Sequence, residues 1–251
     1  MNCKSFRSKA FGILAVLASF TAHAGSLDKT SPDFLKYESY IKEVAPGLSL
    51  VDVVTMPKTK SVILVTDRGS VINMSRKGDI VYSGDLLKWV NDGYKNLTQQ
   101  ALVDRIRAQP NSAGIFYPAK GKTTATVDIF FDVDCTFCRA EHDDIDMLNT
   151  YGISVRYHAY PGAGPESPSA AIMAKMWCEP DAKKRIDYYI KTNEVLSGYH
   201  NEAACKKVIS DQYFMGRTID IKATPAITFP NGRVVFSYLT PKQVLQYAVA
   251  K

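Results

Sequence analysis

Residues 130–143 read FFDVDCTFCRAEHD: an apolar run, two cysteines two residues apart, then a charged stretch. Two thiols at that spacing can bind a metal, carry a haem, form a permanent cross-link or exchange electrons with another protein. Haem attachment requires a histidine directly after the second cysteine, and position 139 is Arg. A four-cysteine zinc site usually takes two close pairs, whereas Cys178 and Cys205 stand 27 positions apart. His142 completes a C-x2-C-x3-H pattern that leaves zinc formally open, and a permanent disulfide is open as well. Exchange is the chemistry the local pattern favours. Cys135 follows an apolar strand and opens a helix, where unpaired N–H groups and the positive end of the helix dipole stabilise a thiolate. It is therefore expected to attack, and Cys138, within the first turn, to resolve the mixed disulfide. No metal and no cofactor is expected.

The elements that must position this pair follow from the hydrophobic pattern. TTATVDIFF (123–131) reads as a central strand, residues from about Phe137 to Thr150 as a helix, and ISVRYHAY (153–160) as the next strand. Strand, helix and strand in so short a span make a βαβ unit with parallel strands. Ser167-Pro168 opens a helix through Trp177, and residues 181–194 and 202–215 read as two more. AITFP (226–230), Asn231-Gly232 and RVVFSY (233–238) form a hairpin signal, and Thr240-Pro241 begins the last helix. Thr224-Pro225 stands just before that hairpin. A cis bond there would hold the Thr224 backbone ready to pair with an extended substrate, and an ordinary turn is the alternative.

Cys178 follows Trp177 in an apolar helix and reads as buried. Cys178–Cys205 is expected to be a structural disulfide, stabilising by about 3.5 kcal/mol in the chain-entropy picture. A second redox pair is the other reading, but the spacing offers no close resolving thiol.

The chain opens MNCKSFRSKAFGILAVLASFTAHAGS. Basic Lys4, Arg7 and Lys9, the apolar run Phe11 to Phe20 and small residues at Ala22 and Ala24 give an export signal, with cleavage expected after Ala24. The run is too short to span a bilayer. Cleavage would lower the formal charge from +6 to +3, an excess too mild to indicate nucleic acid or an anionic membrane. It would also leave four cysteines in an exported chain, which suits disulfide chemistry. Residues 32–44 have helical spacing, and LSLVDVV, SVILVT, SVINMS and DIVYSG read as an antiparallel meander ending near Gly93. Residues 98–109 read as a mostly polar helix suited to a linker.

Together FFDVDCTFC, ISVRYHAYPGAG (153–164), MAKMWC (173–178), Cys205 and ATPAITFPNG (223–232) make the chain resemble periplasmic disulfide isomerases of the DsbC/DsbG type, within the thioredoxin superfamily. The resemblance implies an α+β protein. A small cystatin-like dimerisation domain (25–95) would lead through a linker helix (96–115) to a thioredoxin-like α/β domain (116–251) with a helical insertion at about 167–215. It further implies a V-shaped periplasmic homodimer that reshuffles wrong disulfides in exported proteins and is kept reduced by a membrane thiol reductase of the DsbD type. Cys135 would be the nucleophile, Cys138 the resolving thiol and Thr224-Pro225 the cis-proline loop. A dithiol oxidase, a reductase dedicated to one client, and a holdase chaperone with an inert disulfide are the rival activities.

The sequence departs from the family pattern in places. The dipeptide is Thr136-Phe137 where Gly-Tyr is common, and the carboxylate of Asp134 should oppose thiolate formation at Cys135. Position 129, where thioredoxins often carry a buried acid, is Ile. Arg139, Glu141 and His142 are the other polar candidates, and His142 is expected to be a surface histidine.

Overall fold

The computed structural model describes residues 25–250 apart from 57, 58, 83 and 92. The export signal expected over 1–24 lies outside the described residues. In chain order, β1 (Gly25–Ser26) and α1 (Pro32–Val44) precede β2 (Leu50–Met56), β3 (Ser61–Thr66), β4 (Val71–Ser75) and β5 (Val81–Tyr82). These five strands form one antiparallel sheet in sequential order. Ser31 caps α1, accepting the Phe34 N–H at 3.2 Å, and Pro32 occupies the first turn where its missing N–H costs nothing. Phe34, Tyr37 and Ile41 recur at helical spacing and bury that face of α1 against Val53, Val62 and Leu64. The expected meander therefore stops at Tyr82. Beyond it β6 (Leu87–Val90) and β7 (Gly93–Asn96) pair only with each other. Trp89, Tyr94 and Leu87 on this hairpin are exposed.

Asn96 then caps α2 (Leu97–Arg107). Its buried face, Ala101, Leu102, Val103 and Ile106, joins Val54, Ile63 and Val65 of the first sheet to Phe130 and Ala226 of the second, and to Tyr160, in one cluster.

The second sheet is built from β8 (Ile115–Tyr117), β9 (Ala125–Phe131), β10 (Ile153–Ala159), β11 (Ala226–Thr228) and β12 (Val234–Val235), in the order β12-β11-β9-β10-β8. β9 and β10 are parallel over their whole length, from Ala125 opposite Ile153 to Phe131 opposite Ala159. The other pairs are antiparallel. The single helix expected between β9 and β10 is two: α3 (Thr136–Asp143) and α4 (Ile145–Thr150), with Asp144 ending one and opening the other. No glycine or proline marks this break. It coincides with an anchor, because Asp144 Oδ2 accepts the Tyr238 hydroxyl at 2.6 Å.

Helices α5 (Pro168–Ala174), α6 (Ala182–Thr192) and α7 (Glu202–Arg217) separate β10 from β11, and α8 (Pro241–Val249) closes the chain. The Thr240 capping box and Pro241 start α8 as the sequence leads one to expect. The hairpin is shorter than its sequence signal: residues 229–233 connect the strands, with Gly232 at φ +84°. Cys178 and Cys205 are joined by a disulfide with Cα atoms 5.7 Å apart, tying the turn after α5 to α7. Among the described residues no helix is long and apolar enough to cross a membrane.

Candidate active site

Strand β9 delivers the cysteines. Alternation along Val127, Ile129, Phe131 and Val133 fills one side of the strand with core residues, so the chain leaves the sheet at Asp132 still anchored. The Asp132 carbonyl accepts the Cys135 N–H at 3.2 Å. Its carboxylate does more: Oδ1 accepts the Asp134 N–H at 3.1 Å and Oδ2 the Gly162 N–H at 2.7 Å. The turn into α3 is thus fastened to the loop after β10. Cys135 itself occupies the N-cap position, its Sγ accepting the Cys138 N–H at 3.4 Å.

Sheet register brings the second component alongside. β11 pairs with β9 so that Ala226 faces Phe130, which sets the two residues before Ala226 beside the end of β9. The Thr224–Pro225 peptide is cis, and Cys135 Sγ lies 3.2 Å from the Thr224 carbonyl oxygen across 89 positions of sequence, a contact in which the protonated thiol donates. Thr224 is half-buried and Pro225 buried, while Phe137 projects into solvent next to the first cysteine.

The two thiols have opposite surroundings. The Cys135 thiol is pulled from 9.0 down to about 5, chiefly by a hydrogen bond from Cys138, and further by Thr224 and by the Cys138 and Phe137 backbone N–H groups, against the effect of burial. Cys138 is fully buried, and burial together with the Cys135 hydrogen bond pushes its thiol far above the ordinary value. One sulfur is open and ionised at neutral pH; the other is enclosed and holds its proton.

Asp134 does not oppose this in the way its position suggests. Its carboxylate accepts the Tyr189 hydroxyl at 2.8 Å and lies 3.8 Å from Arg139, turned toward α6. Arg139 in turn donates to the Val133 carbonyl at 3.0 Å and the Asn193 side chain at 2.6 Å, and lies over the Tyr189 ring. Its neighbours are Arg139, five positions on in α3, and Tyr189 of α6, an element that sequence spacing could not bring near.

His142 is not a surface histidine. Its side chain is 9% exposed, with Nε2 2.7 Å from Asp187 and Nδ1 3.2 Å from the Tyr157 hydroxyl. A carboxylate only accepts, so the ring donates to Asp187 from Nε2. Glu141, read as one of a charged run, is fully buried. Burial drives its carboxyl from 4.5 up to about 8, and neither oxygen has a hydrogen-bond partner. Helical phase could have found both residues, because positions 138, 141 and 142 share a face of α3.

A second buried polar group escaped sequence reading altogether. Asp128 Oδ1 accepts Arg156 Nε at 2.6 Å and His158 Nε2 at 2.8 Å, all three residues being buried in β9 and β10. Burial alone would raise the Asp128 carboxyl; His158 and Arg156 outweigh it and hold it below the usual carboxylate value. The rest of the guanidinium caps the end of α2, donating to the carbonyls of Ile106 at 3.0 Å, Pro110 at 3.2 Å and Gln109. Among the described residues no group of three or more His, Cys, Asp or Glu side chains is placed to hold a metal ion.

Comparison with known proteins agrees with this arrangement. Residues 112–250 match the family model of a thioredoxin-like domain. The thiol:disulfide interchange protein DsbC of Dickeya dadantii is 30% identical over 79% of this chain and 80% of its own. The protein of that name from Escherichia coli (strain K12) is 25% identical over 95% of this chain and 94% of its own. Among solved structures, a disulfide interchange protein from Neisseria gonorrhoeae superposes with a TM-score of 0.47 at 20% identity, over 57% of this chain and 100% of that one. With its cysteine pair at the head of α3 in a thioredoxin-like domain, the chain belongs to the DsbC family of thiol:disulfide interchange proteins.

Proposed function

We propose that this protein is a disulfide isomerase and reductase of exported proteins, with Cys135 as nucleophile and Cys138 as resolving thiol. One observation carries the reading: an acidic, half-open Cys135 stands against an enclosed, protonated Cys138. The Cys135 thiolate attacks a wrong disulfide in a client, and one client sulfur leaves as a thiolate. The mixed disulfide then yields either to another client thiol, which rearranges the bonds, or to Cys138, which reduces the client. Thr224 and Pro225 form the surface on which an extended client segment pairs, and exposed Phe137 adds apolar contact beside the reacting sulfur.

In this reading residues 25–95 form a cystatin-like dimerisation domain, 96–115 a linker helix and 116–251 the catalytic domain, with the insertion at about 167–215. The exposed apolar side chains Trp89, Tyr94 and Leu87 support association through the first of these. The disulfide Cys178–Cys205 is structural. A periplasmic location after signal cleavage at Ala24, and a membrane thiol reductase of the DsbD type that returns Cys135 and Cys138 to the dithiol, complete the cycle.

Refolding of a scrambled multi-disulfide substrate by the reduced protein tests the reading. Recovery of native substrate is expected. Failure to recover it, together with rapid oxidation of a reduced substrate by the disulfide form, would make the protein a dithiol oxidase.

A further inference from the structure

Resolution by Cys138 poses a proton problem that the site described so far does not solve. Cys138 is fully buried and protonated, yet it must become a thiolate to attack. Position 129 on β9 is Ile, so that strand offers no acid beneath the pair at the place where thioredoxins often carry one. The neighbouring helix supplies one. Glu141 lies three residues after Cys138 on α3, the spacing that sets side chains one above the other. Helical side chains lean toward the N-terminus, a direction that turns Glu141 toward the side of α3 that carries Cys138. It is 0% exposed, and both carboxyl oxygens lack a hydrogen-bond partner, which is costly for a group with no task.

The groups around it are few. Tyr157 from β10 lies in the same core cluster as Cys138, and its hydroxyl is 3.2 Å from Nδ1 of His142, the residue directly after Glu141. Asp144 ends the same helix, bonded to the Tyr238 hydroxyl. The Leu239 backbone, just before α8, faces the carboxyl without meeting hydrogen-bond geometry. No arginine or lysine is among them to fix Glu141 as a permanent carboxylate, His142 being engaged with Asp187, and burial with the nearby Asp144 keeps its proton near neutral pH.

Resting on the reading that Cys138 resolves, we infer that Glu141 accepts the proton of Cys138 as that thiol attacks the mixed disulfide, and returns it when the pair is reduced again. In the forward step the Cys138 S–H proton moves to the Glu141 carboxylate and the Cys138 sulfur bonds to Cys135 Sγ. The bond from Cys135 to the client sulfur breaks, and its electron pair leaves with the client as a thiolate. The client disulfide is thereby reduced by two electrons and the dithiol oxidised. In the reverse direction a partner dithiol supplies the electrons: its thiolate attacks Cys135, and Cys138 leaves as a thiolate that takes the Glu141 proton. The partner's second thiolate then attacks its own sulfur in the mixed disulfide, closing the partner's disulfide and releasing Cys135 as a thiolate.

Mixing the reduced protein without residues 1–24, and therefore without the thiol of Cys3, with 5,5′-dithiobis(2-nitrobenzoate) separates the two events. Attack by Cys135 releases a first nitrothiobenzoate, and resolution by Cys138 releases a second. The Cys138→Ser variant must lose the second phase; if it keeps it, the roles assigned to the cysteines are wrong whatever Glu141 does. In Glu141→Gln the first phase acts as the internal control, and the second is expected to slow about a hundredfold, in line with the loss of a general base. In the unaltered protein the second phase should accelerate with pH and level off near pH 8, where Glu141 is ionised. A second phase in Glu141→Gln as fast as in the parent would overturn the proposal. So would a parent profile that climbs past pH 8 without levelling, which decides the matter even if the variant does not fold.

Discussion

The backbone N–H of Cys138 points at the sulfur of Cys135, 3.4 Å away, while the Cys138 sulfur itself is sealed in the core. The same three-residue step that lets Cys138 stabilise a negative charge on Cys135 therefore denies one to Cys138. A strand-to-helix junction gives this asymmetry for little cost: the N-cap side chain meets the free N–H groups, and the residue three later turns inward.

Acidity of Cys135 is the first consequence. Its thiolate absorbance, or its rate of alkylation with iodoacetamide, is expected to follow a single transition with a midpoint of about 5. A midpoint close to the ordinary 9.0 would remove the physical basis for attack by this residue.

The same shift fixes the sign of a stability effect. Between about 5 and 9.0 the unfolded chain binds a proton at Cys135 that the folded one does not. The reduced protein should therefore gain stability as pH rises through that window, relative to the oxidised protein, and lose it as pH falls through about 5. Glu141 acts in both redox forms with the opposite sign: its contribution is complete below 4.5 and disappears as pH rises through about 8. Denaturant titrations of both forms across this range separate the two. A reduced-minus-oxidised difference that does not change with pH would contradict the assignment to Cys135.

Asp134→Asn tests whether the carboxylate beside the nucleophile matters. Because that carboxylate is held by Tyr189 and Arg139, the Cys135 midpoint should move by less than roughly half a pH unit. A drop of a full unit or more would mean that Asp134 opposes the thiolate directly.

Two structural fastenings have separable effects. Replacing Cys178 and Cys205 by Ser should cost about 3.5 kcal/mol in denaturant unfolding while folded protein keeps its Cys135 reactivity. Arg156→Met leaves the buried Asp128 carboxylate without its guanidinium and uncaps α2; the expected loss is about 3–5 kcal/mol. Proteolysis between α2 and β8 should accelerate in that variant. Unchanged cleavage there would mean that Arg156 does not hold the two elements together.

Much of this site is legible in the residues themselves. Cys135, Cys138 and Thr224-Pro225 announce themselves because their meaning lies in chain order: a strand before the pair, and a strand directly after the proline. What escapes is settled by tertiary contacts. The run Arg139-Ala140-Glu141-His142-Asp143 has the composition of a solvated helix face, yet the phase of α3 buries Glu141 with Cys138 and half-buries His142. Asp144, where that helix breaks, accepts a bond from Tyr238, 94 positions away, which no local propensity encodes. Asp128, Arg156 and His158 look like strand residues that must face water. Their pairing across adjacent parallel strands, and the open carbonyls of α2, make the interior hospitable instead.

The central claim is that Cys135 forms the covalent link to a client and Cys138 breaks it. Incubating the reduced Cys138→Ser variant with a disulfide-bonded substrate, then quenching with acid and mapping the adduct by mass spectrometry, tests it most directly. A long-lived, thiol-reducible adduct on Cys135, absent or fleeting in the parent protein, is the predicted result. No adduct, or one on another cysteine, would contradict the account.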